Sequence, residues 1–202
     1  TLYMVGYNFI KRSIPTAHPF AWDLTFANWD KALHFDRHPF EWLAPVLNHP
    51  WITLGLSYNY GVWFVVMFGL WFWLGMSATD HPLRQRFLLG FTMTWFFGTC
   101  VLGTVFSSVG PCFYAHLVPG ADPYAPLMAW LHHVDAKNNL ILLDVMDELW
   151  KGYIDGSGLV NGISAMPSMH VATSVLFAMT AFTAGKKLLG YGLTVFALLI
   201  ML

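Results

Sequence analysis

The sequence predicts an all-α protein, a multispan transmembrane helical bundle, and three observations carry that expectation. Only 10% of the 202 residues are charged while 56% are hydrophobic and 17% aromatic, against roughly 25% charged in an ordinary soluble domain. Mean hydropathy is +0.53, which favours lipid over water as the surrounding medium. No Asp, Glu, Lys or Arg occurs between Glu41 and Asp80, between Arg86 and Asp122, or between Asp155 and Lys186. The net charge of −1 argues against a nucleic-acid partner, because phosphate backbones are held by clustered Lys and Arg. Cys100 and Cys112 are too few for a disulfide framework.

We expect one membrane-embedded domain over 1–202. Its first element, 1–10, is the tail of a helix closed by Lys11 and Arg12. In the first charge-free stretch, Trp51 to Met76 is long enough to cross a bilayer and carries Trp51, Trp71 and Trp73 where aromatic belts sit. The second stretch supplies a span from Phe87 to about Ser108. In the third, Pro167 to Ala184 starts on a proline suited to the first helical position and ends on Gly185-Lys186-Lys187. The last run, Leu188 to Leu202, falls short of the roughly 20 residues a span requires, so the chain is expected to be incomplete at both ends. Four His-Pro pairs, at His18, His38, His49 and His81, mark boundaries, since a residue before proline is pushed out of the helical region.

Orientation follows from short basic loops. Arg84 and Arg86 in one, and Lys186 and Lys187 in another, place both on the cytoplasmic side. The segment 109–166 then faces outward, and its net charge of −4 agrees. Lys11 and Arg12 fall on the outer side and go against the rule. Within that segment Asp144, Asp147, Glu148 and Lys151 recur at helical spacing against Leu142, Val145, Met146, Leu149 and Trp150, the pattern of an amphipathic helix.

The stretch richest in chemistry is Gly162-Ile163-Ser164-Ala165-Met166-Pro167-Ser168-Met169-His170. A loop enters a helix here, and the backbone N–H groups and positive dipole end of a helix start favour an anion. Ser168 adds a hydroxyl, and His170 in the first turn is placed to protonate a leaving oxygen on a bound phosphate. A capped helix start with an incidental histidine satisfies the same residues. His132, His133 and Asp135 resemble a metal cluster, and Asp144, Asp147 and Glu148 a magnesium face, but an exposed polar turn and a solvated helix face are the readings we expect for them. No Walker phosphate loop or nucleophile elbow occurs.

Pro167-Ser168-Met169-His170 resembles the Pro-Ser-x-His signature of the type 2 phosphatidic acid phosphatase superfamily, membrane phosphatases and phosphotransferases with a six-helix core. Phe106-Ser107-Ser108-Val109-Gly110-Pro111-Cys112-Phe113-Tyr114, with Met169 where many phosphatases carry Gly, resembles the inositol phosphorylceramide synthase branch and its bacterial relatives. The resemblance implies a metal-independent, cofactor-free enzyme acting at the extracytoplasmic or lumenal face on a lipid phosphate, with water or a hydroxyl as acceptor. His170 is implied as the catalytic acid; Ser168 and Met169 beside it, with Tyr114 and Ser107 at the same face, are candidate phosphate-binding positions, although an interface tyrosine and a helix-end serine account for the last two equally. The site is expected where the Ser108 end of one span meets the Pro167 start of another. The family's second histidine, which forms a phosphohistidine and is oriented by an Asp four residues later, is absent from the 202 residues and is expected beyond Leu202. Gly103 and Gly110 stand at the Lys and Arg positions of the first motif, so Lys11, Arg12, Lys31 or Arg37 are candidates for neutralising phosphate. A metal-dependent transferase and a non-catalytic membrane protein with a degenerate site are the competing expectations.

Overall fold

The computed structural model describes residues 2–76, 81–155 and 162–202, without the side chains of 2–5, 7, 8, 12 and 81. All of its regular secondary structure is helical: α1 (Leu2–Ala17), α2 (Asp23–Leu33), α3 (Pro39–Leu47), α4 (Pro50–Met76), α5 (His81–Trp95), a π-helical segment (Phe96–Leu102) running into α6 (Gly103–Val105), a 3-10 turn (Pro111–Phe113), α7 (Tyr114–Leu117), α8 (Ala125–Asn138), α9 (Ile141–Asp155), α10 (Met169–Thr183) and α11 (Lys187–Ile200).

The His-Pro pairs sit at element boundaries. His18 follows α1, His38 caps α3 with Pro39 in its first turn, and His49 and His81 stand at the starts of α4 and α5. Three expected limits move. The first helix runs through Lys11 and Arg12 to Ala17, because basic residues do not stop a helix, whereas His18-Pro19 does. The second expected span begins at His81 instead of Phe87 and closes at Val105, with Phe106 as its C-cap, three residues before Ser108. Pro167 is not the first helical residue, because extended Ser168 (φ −69°, ψ 114°) takes the N-cap and α10 starts at Met169.

Among the described residues two helices are long and apolar enough to cross a membrane, Pro50–Met76 and Pro82–Val105. At 1.5 Å per residue the 27 residues of α4 cover about 40 Å, ample for a core about 30 Å thick. The apolar helices α10 and α11, of 15 and 14 residues, are shorter. Trp51, Val65, Phe72 and Met76 on α4, and Leu188, Tyr191 and Val195 on α11, are exposed, a distribution suited to lipid contact.

The chain divides into two compact units. Unit 1 comprises 1–57 and 99–167; its main core joins Val109, Phe113, Val134, Leu140, Leu143, Met146 and Ile163. There Trp130 donates its indole N–H to Thr53 Oγ1 at 3.0 Å. Unit 2 comprises 58–98 and 168–202, around Trp63, Met67, Leu74, Phe87, Phe91, Phe177 and Leu193. Phe177 is fully buried at its centre. Replacing it with Ala leaves a cavity, so Phe177→Ala is expected to lower stability by about 3–5 kcal/mol, read from denaturant unfolding in detergent micelles.

Candidate active site

Unit 2 assembles a histidine pocket from two helices. Ser168 starts α10 by accepting the Val171 N–H on Oγ at 3.4 Å, and its carbonyl accepts the Ala172 N–H at 3.0 Å. This places Met169 and His170 in the first turn, at the positive end of the helix dipole. From α4, Tyr60, Trp63 and Phe64 have the i, i+3, i+4 spacing of one helix face. The Tyr60 ring stacks on the imidazole at 4.3 Å, the Trp63 ring lies at 4.2 Å and Phe64 meets it edge-on at 6.3 Å. Tyr60 Oη hydrogen-bonds His170 Nδ1 at 3.0 Å. Trp63 is itself fixed, donating its indole N–H to Thr173 Oγ1 at 3.0 Å, and Thr173 donates to the Met169 carbonyl at 2.7 Å. Ser174 Oγ donates to the His170 carbonyl at 2.7 Å.

In unit 1, Ser107 and its neighbours lie on the loop after α6. Asp23, buried in the first turn of α2, accepts the Val109 N–H on both carboxylate oxygens at 3.0 Å and the Gly110 N–H on Oδ1 at 2.8 Å. The Ser107 carbonyl accepts from the N–H groups of Ala21 and Trp22, and the Ser108 carbonyl from Ala165 N–H at 3.0 Å. Thus the 107–110 loop is held on one side by the entry to α2 and on the other by the segment that leads to Pro167. Ser107 and Ser108 are both 1% exposed, and neither hydroxyl has a partner among the described residues. A buried hydroxyl without a partner carries a desolvation cost that an added acceptor would offset.

Gly110 has φ +81°, and a Cβ there would lie 2.7 Å from the Ala165 Cβ. An arginine at this register would need both a left-handed backbone and space that Ala165 occupies. The loop geometry at Gly110 therefore suits glycine and not the arginine that the resemblance leads one to expect there. Of the other cations considered, burial pushes the Lys11 ammonium below its usual value, Lys31 is exposed, and the Arg37 guanidinium lies 5.2 Å over the Trp42 ring. Arg12's side chain lies outside the described residues.

Tyr114 is buried and meets Tyr124 edge-on at 5.4 Å. Burial, reinforced by Asp23 and Asp122, raises its phenol above the usual value and keeps it a proton donor. The structure thus places Ser168, Met169 and His170 in unit 2, and Ser107 and Tyr114 in unit 1. In the suggested metal cluster, Asp135 instead accepts the Leu140 N–H at 2.6 Å and His133 Nε2 lies 3.4 Å from Lys137 Nζ. On the acidic face of α9, Glu148 pairs with Lys151 at 3.0 Å.

Sequence reasoning missed Asp23, Ser108, Tyr60 and Trp63. The aromatic trio offered one signal: Tyr60, Trp63 and Phe64 repeat at helical spacing inside a span, a pattern that serves lipid contact and a pocket wall alike.

The family model described as the PAP2 superfamily matches residues 24–202. No curated protein and no solved structure matches the chain.

Two outcomes follow from unit 1. Asp23→Asn keeps the side-chain size but leaves one oxygen to serve two N–H groups, and is expected to lower unfolding stability by about 1–3 kcal/mol. Burial first, then Asp30, Tyr114, Asp23 and Asp122, pushes the Tyr124 phenol up to about 12. The folded state therefore keeps a proton that an unfolded tyrosine releases near pH 10. The stabilisation is complete below about pH 10 and is lost as pH climbs towards 12. Phenolate absorbance, taken as the difference between the chain and Tyr124→Phe, should show that late ionisation; a difference titrating near pH 10 would refute the burial effect.

Proposed function

Starting from the premise that this chain belongs to the PAP2 superfamily, we propose that it is an integral membrane phosphatase or phosphotransferase acting on a lipid phosphate ester at the extracytoplasmic face. Membership makes it a phosphatase-type enzyme; the lipid substrate, the face and the branch are our reading. The observation that supports the reading is the seating of His170 in the first turn of α10 against Tyr60 and Trp63, an imidazole held at the positive end of a helix.

In this mechanism a second histidine, assigned to no residue here, attacks phosphorus to form a phosphohistidine. As the new P–N bond forms, the ester P–O bond breaks and its electron pair goes to the leaving oxygen, which takes a proton from His170. Water or an alcohol hydroxyl then receives the phosphoryl group. An inositolphosphotransferase-like reaction uses the hydroxyl and an inositol-bearing phosphate, in keeping with the 106–114 sequence and Met169. Ser107, Tyr114 and Ser168 are proposed as hydrogen-bond donors to the phosphate, supported by the two partnerless serine hydroxyls of the loop and the protonated phenol. Lipid tails stay in the bilayer, and neither metal nor organic cofactor takes part. A second reading, a membrane protein with a degenerate site, draws on Gly103 and Gly110 in place of the family's Lys and Arg.

The test is turnover by the full-length protein reconstituted in vesicles with phosphatidic acid and, separately, with phosphatidylinositol plus a ceramide acceptor. His170→Gln is expected to lower turnover by at least about 100-fold, and a chelator to leave the parent unchanged. No turnover with either lipid would favour the degenerate reading; turnover independent of His170 would overturn its role as the acid, and loss on chelation would favour a metal-dependent transferase.

A further inference from the structure

We propose that Tyr60 is a positioning residue for His170: its hydroxyl holds Nδ1, so that the proton is delivered from Nε2. This inference rests on the reading of His170 as the acid.

A histidine that protonates a leaving oxygen must present one particular ring nitrogen, and the bond made by the other nitrogen determines which. Tyr60 makes that bond, with Oη 3.0 Å from Nδ1. A tyrosine hydroxyl both donates and accepts, so it can keep the contact through the proton cycle. In the imidazolium, Nδ1–H donates to Oη and Nε2–H faces the ester. When the P–O bond breaks, the leaving oxygen takes the Nε2 proton, and the neutral ring retains Nδ1–H on Tyr60. The next proton returns to Nε2 from the water or alcohol that attacks the phosphohistidine. Charge and protons balance without a further reactant.

The ring contacts fix the remaining degrees of freedom. Tyr60 stacks on the imidazole at 4.3 Å with an interplanar angle of 29°, and Trp63 lies against it at 4.2 Å and 50°. Trp63 is 2% exposed and tied to Thr173, which is fully buried. The wall against which the imidazole rests is therefore itself immobilised by the helix that carries the histidine. Tyr60, one turn earlier on α4, adds a polar atom aimed at a defined nitrogen.

The experiment exploits leaving-group chemistry. An alkyl leaving group, as in phosphatidic acid, needs protonation as it departs, whereas the nitrophenolate of p-nitrophenyl phosphate departs as a stable anion. In the reconstituted full-length protein, Tyr60→Phe retains the ring and removes the hydroxyl. It is expected to lower kcat for phosphatidic acid about 10-fold with KM unchanged, and to leave p-nitrophenyl phosphate turnover within about twofold. Tyr60→Leu, which also removes the stacking surface, should lose more on the same substrate. As a readout independent of turnover, the ¹⁵N signal of His170 Nδ1, assigned by its disappearance in His170→Gln, should shift in Tyr60→Phe. Equal losses on both substrates, or an unmoved Nδ1 signal, would overturn the assignment while a selective loss in His170→Gln left the acid role of His170 standing. If His170→Gln itself leaves phosphatidic acid turnover intact, the acid reading fails and the positioning role falls with it.

Discussion

A buried carboxylate organises unit 1. Taking Asp23 out of water costs several kcal/mol unless its oxygens are satisfied, and the N–H groups of Val109 and Gly110 satisfy them at 2.8–3.0 Å. The dependence is mutual, because those N–H groups lie in a non-helical loop and would otherwise be buried without acceptors. With that exchange made, the chain after α6 is held close enough for the Ser107 carbonyl to receive the N–H groups of Ala21 and Trp22, and the Ser108 carbonyl that of Ala165. The entry to α2, the 107–110 loop and the approach to the Pro-Ser-x-His signature are thereby parts of one hydrogen-bonded assembly.

That assembly also bears on the missing cations. Gly103 and Gly110 stand where the resemblance leads one to expect a Lys and an Arg, and the carboxylate of Asp23 takes the N–H groups of Val109 and Gly110. A loop already satisfied by an anion of its own has backbone donors committed inward. Its remaining unmatched side-chain donors among the described residues are neutral, the hydroxyls of Ser107 and Ser108.

Much of the helical layout was legible because it rests on local rules. Charge-free length places α4 within one residue of its observed Pro50 start, and the His-Pro pairs mark boundaries because proline constrains its own neighbour. The start of α10 is less legible, because Pro167 reads as the first helical residue whereas Ser168 takes the N-cap and leaves the proline outside the helix. The illegible parts are contacts between residues far apart in the chain. Asp23 and Gly110 are separated by 87 positions, and Tyr60 and His170 by 110. No periodicity couples them. In one sequence Asp23 is an acidic residue near a helix start, and Tyr60 and Trp63 are aromatics in an apolar run. The end of α1 lies beyond Lys11 and Arg12 because these residues mark a change of solvent preference and not a terminus.

The π-helical segment at Phe96–Leu102 has a consequence for how this region tolerates insertion and deletion. A π turn closes i→i+5 and accommodates a residue beyond the α-helical repeat, so the helix before it and the helix after it are angularly out of step. The handover between the two compact units, at Gly98 and Thr99, falls inside this segment. Loss of a single residue here could be taken up by reverting to α geometry, whereas the same loss within α4 would rotate every later side chain by about 100°. Phe96–Leu102 is thus the stretch of this chain where a residue can be removed at the smallest cost to helical geometry.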